Sequence, residues 1–444
     1  MSFTTALSGL NAAQNNLSVT GNNIANANTT GFKKSRSEFA DVYASNMGGA
    51  SKVQPGGGVR VMQVAQQFEQ GNIEYTENSL DLALSGTGFF SLADNPQAAT
   101  PTMYTRSGAF KLDKDGYVVN DQGRYLMTYA PNGTKVEAGF SQGIFQPIQI
   151  DTAQGLPEAT EKVNLQVNLD ATADKLQAAN FDPTDPTTYN NMTSATVYDS
   201  QGNPHTATTY FLADGTSTTP PTLDNPNSWL VYTYLDGFGI TPGGGVTDPA
   251  NQAAVPTPIS LKFDTAGALL SIDGNTTTQQ SFGPITSTDL NPNLLVNPID
   301  LEYNFANSTQ YSTPYSVNAL TQDGLPAGNL TGIDVDDKGI VFARFSNGGS
   351  RTLGQVALAR FANNQGLSKI GDTTWAENAS SGQPVFGAAG SNNFGSIQSA
   401  ALESSNVDLS AQLVNLIVAQ QSYQANSQTI STENQIIQTI LNIR

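Results

Sequence analysis

Charged side chains are absent from long stretches at both ends of this chain. Residues 1–32 and residues 409–432 contain no Lys, Arg, Asp or Glu. A helix exposed to water normally carries salt-bridged charges on its outer face, but here Asn, Gln, Ser and Thr take those places. A charge in a homopolymer recurs on every copy at short spacing, so neutral polar faces suit repeated self-packing. The absence favours an assembly protein over an enzyme.

Cysteine is also absent, and the only histidine is His205. Disulfides and thiolate metal sites are therefore excluded. A single His cannot build a His-rich metal centre, and no Gly-x-Ser-x-Gly motif accompanies it for a hydrolytic triad. We interpret His205, which follows a turn, as a loop residue without function. The sequence predicts no catalytic, cofactor-binding or metal-binding residues and no cofactor.

Long apolar runs and early basic residues are missing too. No stretch reaches the roughly 18 apolar residues of a membrane span, so no membrane insertion is predicted. The first basic residue is Lys33, so the charged start of a Sec signal peptide is lacking and secretion would need another route. The net charge of −18 argues against nucleic acid as a partner, because its binding requires a basic surface.

Apolar residues recur at every seventh position near both ends. This spacing predicts coiled-coil-like helices over residues 1–32 and 402–444 that form one paired structure and an assembly interface. The predicted interface residues are Phe3, Leu7, Leu10, Leu17, Ile24, Leu402, Leu409, Leu413, Leu416, Tyr423, Ile430, Ile437 and Leu441. Polar residues such as Gln14 and Gln420 interrupt the seam, so an isolated pair should be marginal. We expect order to come mainly from neighbouring subunits; an ordinary helical hairpin within a monomer is the alternative.

Between the ends, the pattern changes from helical to β. Four turns end in Gly, which supplies the positive φ of a type I turn with a bulge: Asp113-Lys-Asp-Gly116, Asn120-Asp-Gln-Gly123, Asp199-Ser-Gln-Gly202 and Asp336-Asp-Lys-Gly339. Alternating runs flank them, as in Leu80–Leu84 and Ile340–Phe342, and predict half-buried strands.

The sequence predicts an α+β, mainly β protein with a nested, layered architecture. Its predicted parts are the terminal helical assembly domain (1–32 and 402–444), a connecting region (33–70 and 373–401), a discontinuous inner β domain (71–148 and 309–372) and an inserted outer β domain (149–308). Three stretches rich in Gly, Asn, Pro or Ser are predicted connections: Lys52–Gly58, Asn291–Pro298 and Ala388–Gly395.

Several motifs together resemble the family of bacterial flagellar rod and hook proteins. The N-terminal signature of that family is similar to Gly21-Asn-Asn-Ile-Ala-Asn-Ala-Asn-Thr-Thr-Gly-Phe-Lys33, of which Gly21, Asn22, Asn23, Ile24, Ala25, Asn26, Gly31 and Phe32 carry the resemblance. Phe68-Glu-Gln-Gly71, Leu80–Phe90 and Tyr104–Phe110 follow in the family's order. Ser405–Leu409 through Ala419–Asn426 match its closing signature.

The resemblance implies a structural subunit outside the cell, in the basal body and hook of the flagellum. The chain length and the inserted middle region favour the hook member of the family. Copies of that protein form a curved tubular homopolymer, which acts as a flexible coupling and transmits torque from the rod to the filament. Implied partners are further copies of the chain, the distal rod, hook cap and hook–filament junction proteins, and the type III export apparatus.

Two alternatives stay open at this stage. One is a distal rod or junction protein of the same family. The other, from another class, is a secreted β-rich adhesin that binds through aromatic residues such as Trp229 and Tyr232, although core packing is the better explanation for these two.

Overall fold

The computed structural model describes residues 3–42, 56–150, 155, 157–215, 227–247, 255–286, 296–391 and 393–442. Its two α-helices are α1 (Phe3–Ala25) and α2 (Leu409–Asn442). Its strands, in chain order, are β1 (Ser35–Asp41), β2 (Val59–Gln66), β3 (Ile73–Tyr75), β4 (Leu82–Ser85), β5 (Phe89–Ala93), β6 (Met103–Thr105), β7 (Lys111–Leu112), β8 (Val118–Val119), β9 (Tyr125–Pro131), β10 (Phe140–Pro147), β11 (Lys162–Asp170), β12 (Asn191–Tyr198), β13 (Pro204–Ala213), β14 (Ser228–Leu235), β15 (Phe238–Ile240), β16 (Ile259–Phe263), β17 (Leu269–Ile272), β18 (Gln279–Ile285), β19 (Ile299–Asn304), β20 (Thr309–Tyr311), β21 (Ser316–Gln322), β22 (Leu330–Val335), β23 (Ile340–Phe345), β24 (Ser350–Arg360), β25 (Ser368–Gly371), β26 (Thr374–Ala376), β27 (Val385–Ala388), β28 (Ser396–Ser399) and β29 (Ala401–Glu403). The described part of the chain is thus mainly β with a helix near each end, which confirms the predicted fold class.

The chain divides into two compact units. The helix-bearing unit consists of Met1–Thr152, Thr331–Arg344 and Ser350–Arg444, and the inserted unit of Ala153–Leu330 and Phe345–Gly349. The predicted outer domain ended at residue 308, whereas β20 and β21 both pair with β11 in the inserted unit. These two strands extend the unit beyond the composition change that suggested the earlier boundary.

The inserted unit contains two sheets that share one core. One has the order β18-β19-β11-β20 with β21 beside β11, and the other β12-β13-β14-β16-β17 with β15 beside β14. Apolar side chains at alternate positions of β11, such as Val163 and Leu165, meet Trp229 and Phe211 of the other sheet. This alternation follows from the two-residue period of a strand.

The helix-bearing unit contains a 12-stranded sheet with the main order β22-β23-β24-β9-β5-β6-β26-β25. Phe89, Tyr104, Phe361 and Trp375 lie together in a buried aromatic cluster on it. The predicted connecting region consists largely of strands: β1 pairs with β2, β27 with β24, and β28 with β4.

The four predicted turns are confirmed. Gly116, Gly123, Gly202 and Gly339 all have positive φ, between 73° and 83°. Each donates its backbone N–H to the carbonyl oxygen of the residue three positions earlier. Two of the predicted connections, Lys52–Gly58 and Asn291–Pro298, lie mostly outside the described residues.

Candidate assembly interface

The two terminal helices pack against each other in antiparallel orientation. Asn23 Nδ2 of α1 donates to Gln412 Oε1 of α2 at 3.2 Å. At the other end, a Cβ built on Gly9 would lie 2.6 Å from Asn426 Oδ1. By this register Phe3 lies opposite Thr432, so residues 433–442 of α2 extend past the first described residue of α1.

Small side chains form this contact. The buried residues of α1 are Ala6, Ala12, Ala13, Thr20 and Asn23, and within α2 Ala419 is the one buried residue. Small residues let two helix backbones approach closely. The predicted pairing of the chain ends therefore exists in the described helices. Of the large apolar residues, Leu416 and Ile430 are half-buried on the face of α2 that includes Gln412 and Asn426, and none is fully buried.

The predicted interface residues on the two helices are not buried in the chain. Leu10, Leu17, Ile24, Leu416 and Ile430 are half-buried. Phe3, Leu7, Leu409, Leu413, Tyr423, Ile437 and Leu441 are exposed, with half of the Leu413 surface and 69% of the Leu441 surface open to solvent. An apolar surface of this extent on helices is typical of an interaction site.

The heptad pattern missed further exposed apolar residues. On α2 these are Val414, Ile417, Val418, Ile436 and Ile440, and on the β1–β2 pair they are Phe39, Val61, Met62 and Val64. The helical ones fall between the heptad positions, so apolar residues surround most of α2. A search for every large apolar residue in the charge-free segment 409–432 would have found Val414, Ile417 and Val418, but not the others.

The structure corrects the predicted placement of Leu402 in the C-terminal helix. Leu402 lies in strand β29, where it pairs with Glu74 of β3, and not in the C-terminal helix. The helix begins at Leu409 because Asp408 caps it: Asp408 Oδ1 accepts hydrogen bonds from the backbone N–H groups of Ser410 (2.9 Å) and Ala411 (3.2 Å). An acidic residue just before an apolar run is a known start signal, so the sequence contained the correct boundary.

Asn23, a residue of the N-terminal signature, ties α1 to the strand that follows it. Its side chain is buried, donates to Ser35 O at 2.8 Å and accepts from Ser35 N at 2.9 Å. With the bond to Gln412, one amide joins α1, β1 and α2. A buried amide with satisfied donors and acceptor fixes a single arrangement.

Gly31 allows the chain to turn sharply after α1. Its φ is 68°, a left-handed conformation that favours Gly. A Cβ at this position would overlap the backbone of Ser107. Its N–H donates to Glu403 O at 2.8 Å, so the signature glycine places the N-terminal segment against β29.

A buried charge cluster lies at the same place. Lys33 Nζ is 2.6 Å from Glu403 Oε1 with both side chains fully buried, and Arg106 Nη1 is 3.7 Å from Glu403 Oε2. Lys33 also donates to Glu69 O at 2.7 Å. Burial lowers the pKa of Lys33, and attraction to Glu403 opposes that effect. No local sequence pattern indicates this cluster, because Lys33 and Glu403 are 370 residues apart.

The structure corrects the interpretation of His205. This residue belongs to strand β13 and is buried, with Nδ1 2.6 Å from Asp236 Oδ2 and Nε2 3.4 Å from Asp199 Oδ2. The hydrogen bond to Asp236 raises the pKa of His205 against the opposing effect of burial, and Asp199 acts in the same direction as Asp236. His205 is therefore an ion-paired structural residue of the inserted unit.

Trp229 and Tyr232 are both buried, so core packing is confirmed for the aromatic pair considered for an adhesin. The Tyr232 ring stacks on Phe181 with ring centroids 4.0 Å apart. Within the described ranges, no three His, Asp or Glu side chains are placed to hold a metal ion. None of the described helices has the length and apolar character needed to cross a membrane.

Comparison with known proteins decides the family. The "Flagellar hook protein FlgE" of Salmonella typhimurium is 39% identical, and the alignment covers 100% of both chains. The protein of the same description from Escherichia coli is 38% identical with the same coverage, and that from Borreliella burgdorferi is 30% identical over 100% of this chain and 99% of the relative. The chain belongs to the family of flagellar hook proteins.

Four family models match parts of the chain. They are a flagella basal body rod protein model (residues 3–33), a flagellar hook protein FlgE/F/G D1 domain (83–172), a flagellar basal body protein FlaE D2 domain (168–325) and a flagellar basal body rod FlgEFG protein C-terminal model (398–443). The D2 match extends beyond residue 308, in agreement with the pairing of β20 and β21 with β11.

One solved hook protein supports the fold. The crystal structure of Helicobacter pylori flagellar hook protein FlgE2 aligns with a TM-score of 0.50 at 17% identity, over 74% of this chain and 100% of that chain. As a member of this family, the chain is a component of the flagellum.

Proposed function

We propose that this chain is the structural subunit of a bacterial flagellar hook, which assembles through its terminal helices into a curved tubular polymer. The polymer acts as a flexible coupling that transmits torque from the rod to the filament. The observation that carries the proposal is the row of large apolar side chains left exposed on α1 and α2 in a member of the hook protein family.

Burial of these side chains supplies the driving force for assembly. Each large apolar side chain contributes about 1.5–3 kcal/mol when it becomes fully buried. The faces between them carry Asn, Gln, Ser and Thr without charge over residues 409–432, so copies pack side by side without like-charge repulsion.

The protein performs its role without catalysis. Charged groups in its interior form ion pairs, as in Lys33–Glu403 and His205–Asp236. Such pairs fix structure.

The subunit resides outside the cell, as part of the flagellum beyond the membrane. Its partners are further copies, the distal rod at one end of the polymer, and the hook cap and hook–filament junction proteins at the other. It reaches this place through the flagellar type III export apparatus. A chain without Cys refolds after export without disulfide formation.

A distal rod or junction protein is the second candidate, because those proteins share the terminal helices. Straight, rigid tubes would favour the rod, and curved, flexible tubes favour the hook. The adhesin hypothesis loses its support, since Trp229 and Tyr232 are inside the inserted unit.

Electron microscopy of the concentrated full-length chain tests the proposal. We expect curved tubes from the unaltered chain and none from Leu413→Asp, because polymerisation would bury an unpaired charge. Leu413 is half exposed, so the monomer should keep its melting temperature. Leu270→Asp is the matched control, because Leu270 is equally exposed but lies in the inserted unit. Normal tubes from Leu413→Asp would contradict assembly through α2.

A further inference from the structure

A cleft of about 470 Å³ lies in the helix-bearing unit, where the segment after α1 faces the β25–β26 hairpin. We name it the Asn/Thr cleft after its lining residues, which include Asn22, Asn26, Thr30, Ser107 and Thr373. Its volume is within the range of about 300–1,000 Å³ found for binding pockets. Asn22 and Asn26 belong to the N-terminal signature, yet neither is a large apolar residue of the helix interface.

The lining is polar and close to neutral. Among the described residues, the side chains of Asn22, Thr30, Ser107 and Thr373 have no hydrogen-bond partner. Lys33 at the base is neutralised by Glu403, and Asp121 at the rim by Lys111 at 3.1 Å. The two remaining charges, Lys369 and Asp372, have opposite signs. A neutral ligand rich in hydrogen-bonding groups fits this lining better than a phosphate or another ion.

One wall of the cleft is a strained turn. Asp372 and Thr373 connect β25 to β26 with φ of 48° and 56°. A two-residue turn with positive φ at both positions prefers Asn-Gly, and a β-branched residue is an outlier there. Hydrogen bonds hold the turn: Thr105 Oγ1 donates to Thr373 O at 2.9 Å, and Thr374 Oγ1 to Gly371 O at 2.5 Å.

Strain of this kind is concentrated at functional sites, where the surrounding structure maintains it. Glycine at position 373 would remove the strain but also the hydroxyl and methyl groups that line the cleft. The presence of Thr therefore points to a contact made by its side chain.

We infer that the Asn/Thr cleft receives an extended segment of a second copy of this chain. Free amide and hydroxyl groups match the donors and acceptors of a peptide backbone without requiring charge. Asn22, which lines the cleft, belongs to α1, so the cleft adjoins the helix whose exposed apolar residues a neighbouring copy would cover. The inference rests on the proposed self-assembly and adds a second contact to it.

Thr373→Gly in the full-length chain separates stability from assembly. We expect the monomer to melt no lower than the unaltered chain, because relief of the left-handed strain offsets the greater chain entropy of Gly. The critical concentration for tubes, measured by sedimentation, should rise about tenfold, as expected when one neutral polar contact between copies is lost.

Ala400→Gly is the matched control. Ala400 also has positive φ, 52°, in the same unit but outside the cleft, so its replacement should leave the critical concentration unchanged. Thr30→Trp, which fills the cleft, is the second variant and should raise the critical concentration at least as much as Thr373→Gly.

The possible outcomes distinguish the two proposals. Tubes from Thr373→Gly and Thr30→Trp at an unchanged critical concentration would overturn the cleft inference alone. A rise in both variants but not in Ala400→Gly supports it. If the unaltered chain forms no tubes, the proposed function fails and the cleft inference fails with it.

Discussion

Lys33 and Glu403 form a fully buried ion pair, 2.6 Å from Nζ to Oε1, that joins the segment after α1 to the strand before α2. Glu403 Oε1 also accepts the backbone N–H of Gly71 at 2.8 Å, and Arg106 lies on its other oxygen. Both terminal helices are therefore fixed to the β structure at one carboxylate. This arrangement holds the segment after α1 and the strand before α2 in place, although the outer faces of both helices remain exposed.

Glu403→Gln should strongly destabilise the helix-bearing unit. It leaves Lys33 and Arg106 buried without a counter-charge, and breaking such a pair costs about 3–5 kcal/mol. Urea unfolding of the full chain, followed by tryptophan fluorescence in a Trp229→Phe background so that Trp375 of the helix-bearing unit alone reports, measures the change.

The double variant Lys33→Met/Glu403→Gln should be more stable than Glu403→Gln alone, because it removes the unpaired ammonium. Lys111→Met is the surface control. Its partner Asp121 is exposed, so the free energy of unfolding should fall by no more than about 1 kcal/mol. Equal destabilisation by the surface and buried variants would contradict the role of the buried carboxylate.

Gly31→Ala should destabilise the fold by about 2 kcal/mol or more, since Ala at positive φ is strained and its Cβ would overlap Ser107. Gly21→Ala is the matched control within the same signature. Gly21 lies inside α1 with nothing within 4 Å of a built Cβ, so Ala should stabilise by about 0.4–1 kcal/mol. Thermal unfolding of both variants checks the opposite signs, and two changes of the same sign would refute the prediction.

The inserted unit should lose stability as the pH rises above 6.5, the ordinary pKa of His. The folded-state pKa of His205 is raised above its ordinary value of 6.5. The contribution of protonated His205 to the free energy of unfolding is therefore fully present below pH 6.5. This contribution is lost as the pH rises through the folded-state pKa. The pKa values of Asp199 and Asp236 are lowered from 3.8, so their contribution disappears only in stronger acid.

Calorimetry of the full chain and of His205→Asn at about pH 6 and pH 9 tests this linkage. The stability difference between the two proteins should be larger at the lower pH. A difference that does not change with pH would show that His205 is not protonated in the pair.

The last ten described residues of α2 should exchange their amide protons rapidly in the free monomer. Residues 433–442 extend past α1, and Ile440 is 63% exposed; a helix of this length without tertiary contacts is marginal. In the polymer these amides should become protected, while those of β24 stay protected in both states. Strong protection of residues 433–442 in the monomer would contradict assembly-coupled ordering.

Local patterns in the sequence were sufficient to locate the two helices and the four turns. The seven-residue recurrence located both helices, because apolar periodicity reflects which face of a helix is covered. Gly116 and Gly339 marked turns because their positive φ is a local property of Gly. Asp408 is also a local signal for the start of α2. The seven-residue apolar periodicity continues back to Leu402, however, and this led to a predicted start that was too early.

Contacts between distant parts of the chain were decided by tertiary structure alone. Periodicity cannot state which face of α1 meets α2, so the contacts of Asn23 with Gln412 and of Gly9 with Asn426, and the exposure of Leu413, were not predicted. Strand pairing is equally non-local. For this reason the sequence did not predict that Leu402 pairs with β3 or that β21 pairs with β11 in the inserted unit. The Lys33–Glu403–Arg106 cluster and the Asn/Thr cleft exist only where residues far apart in sequence meet, because burial and charge pairing depend on neighbours in space.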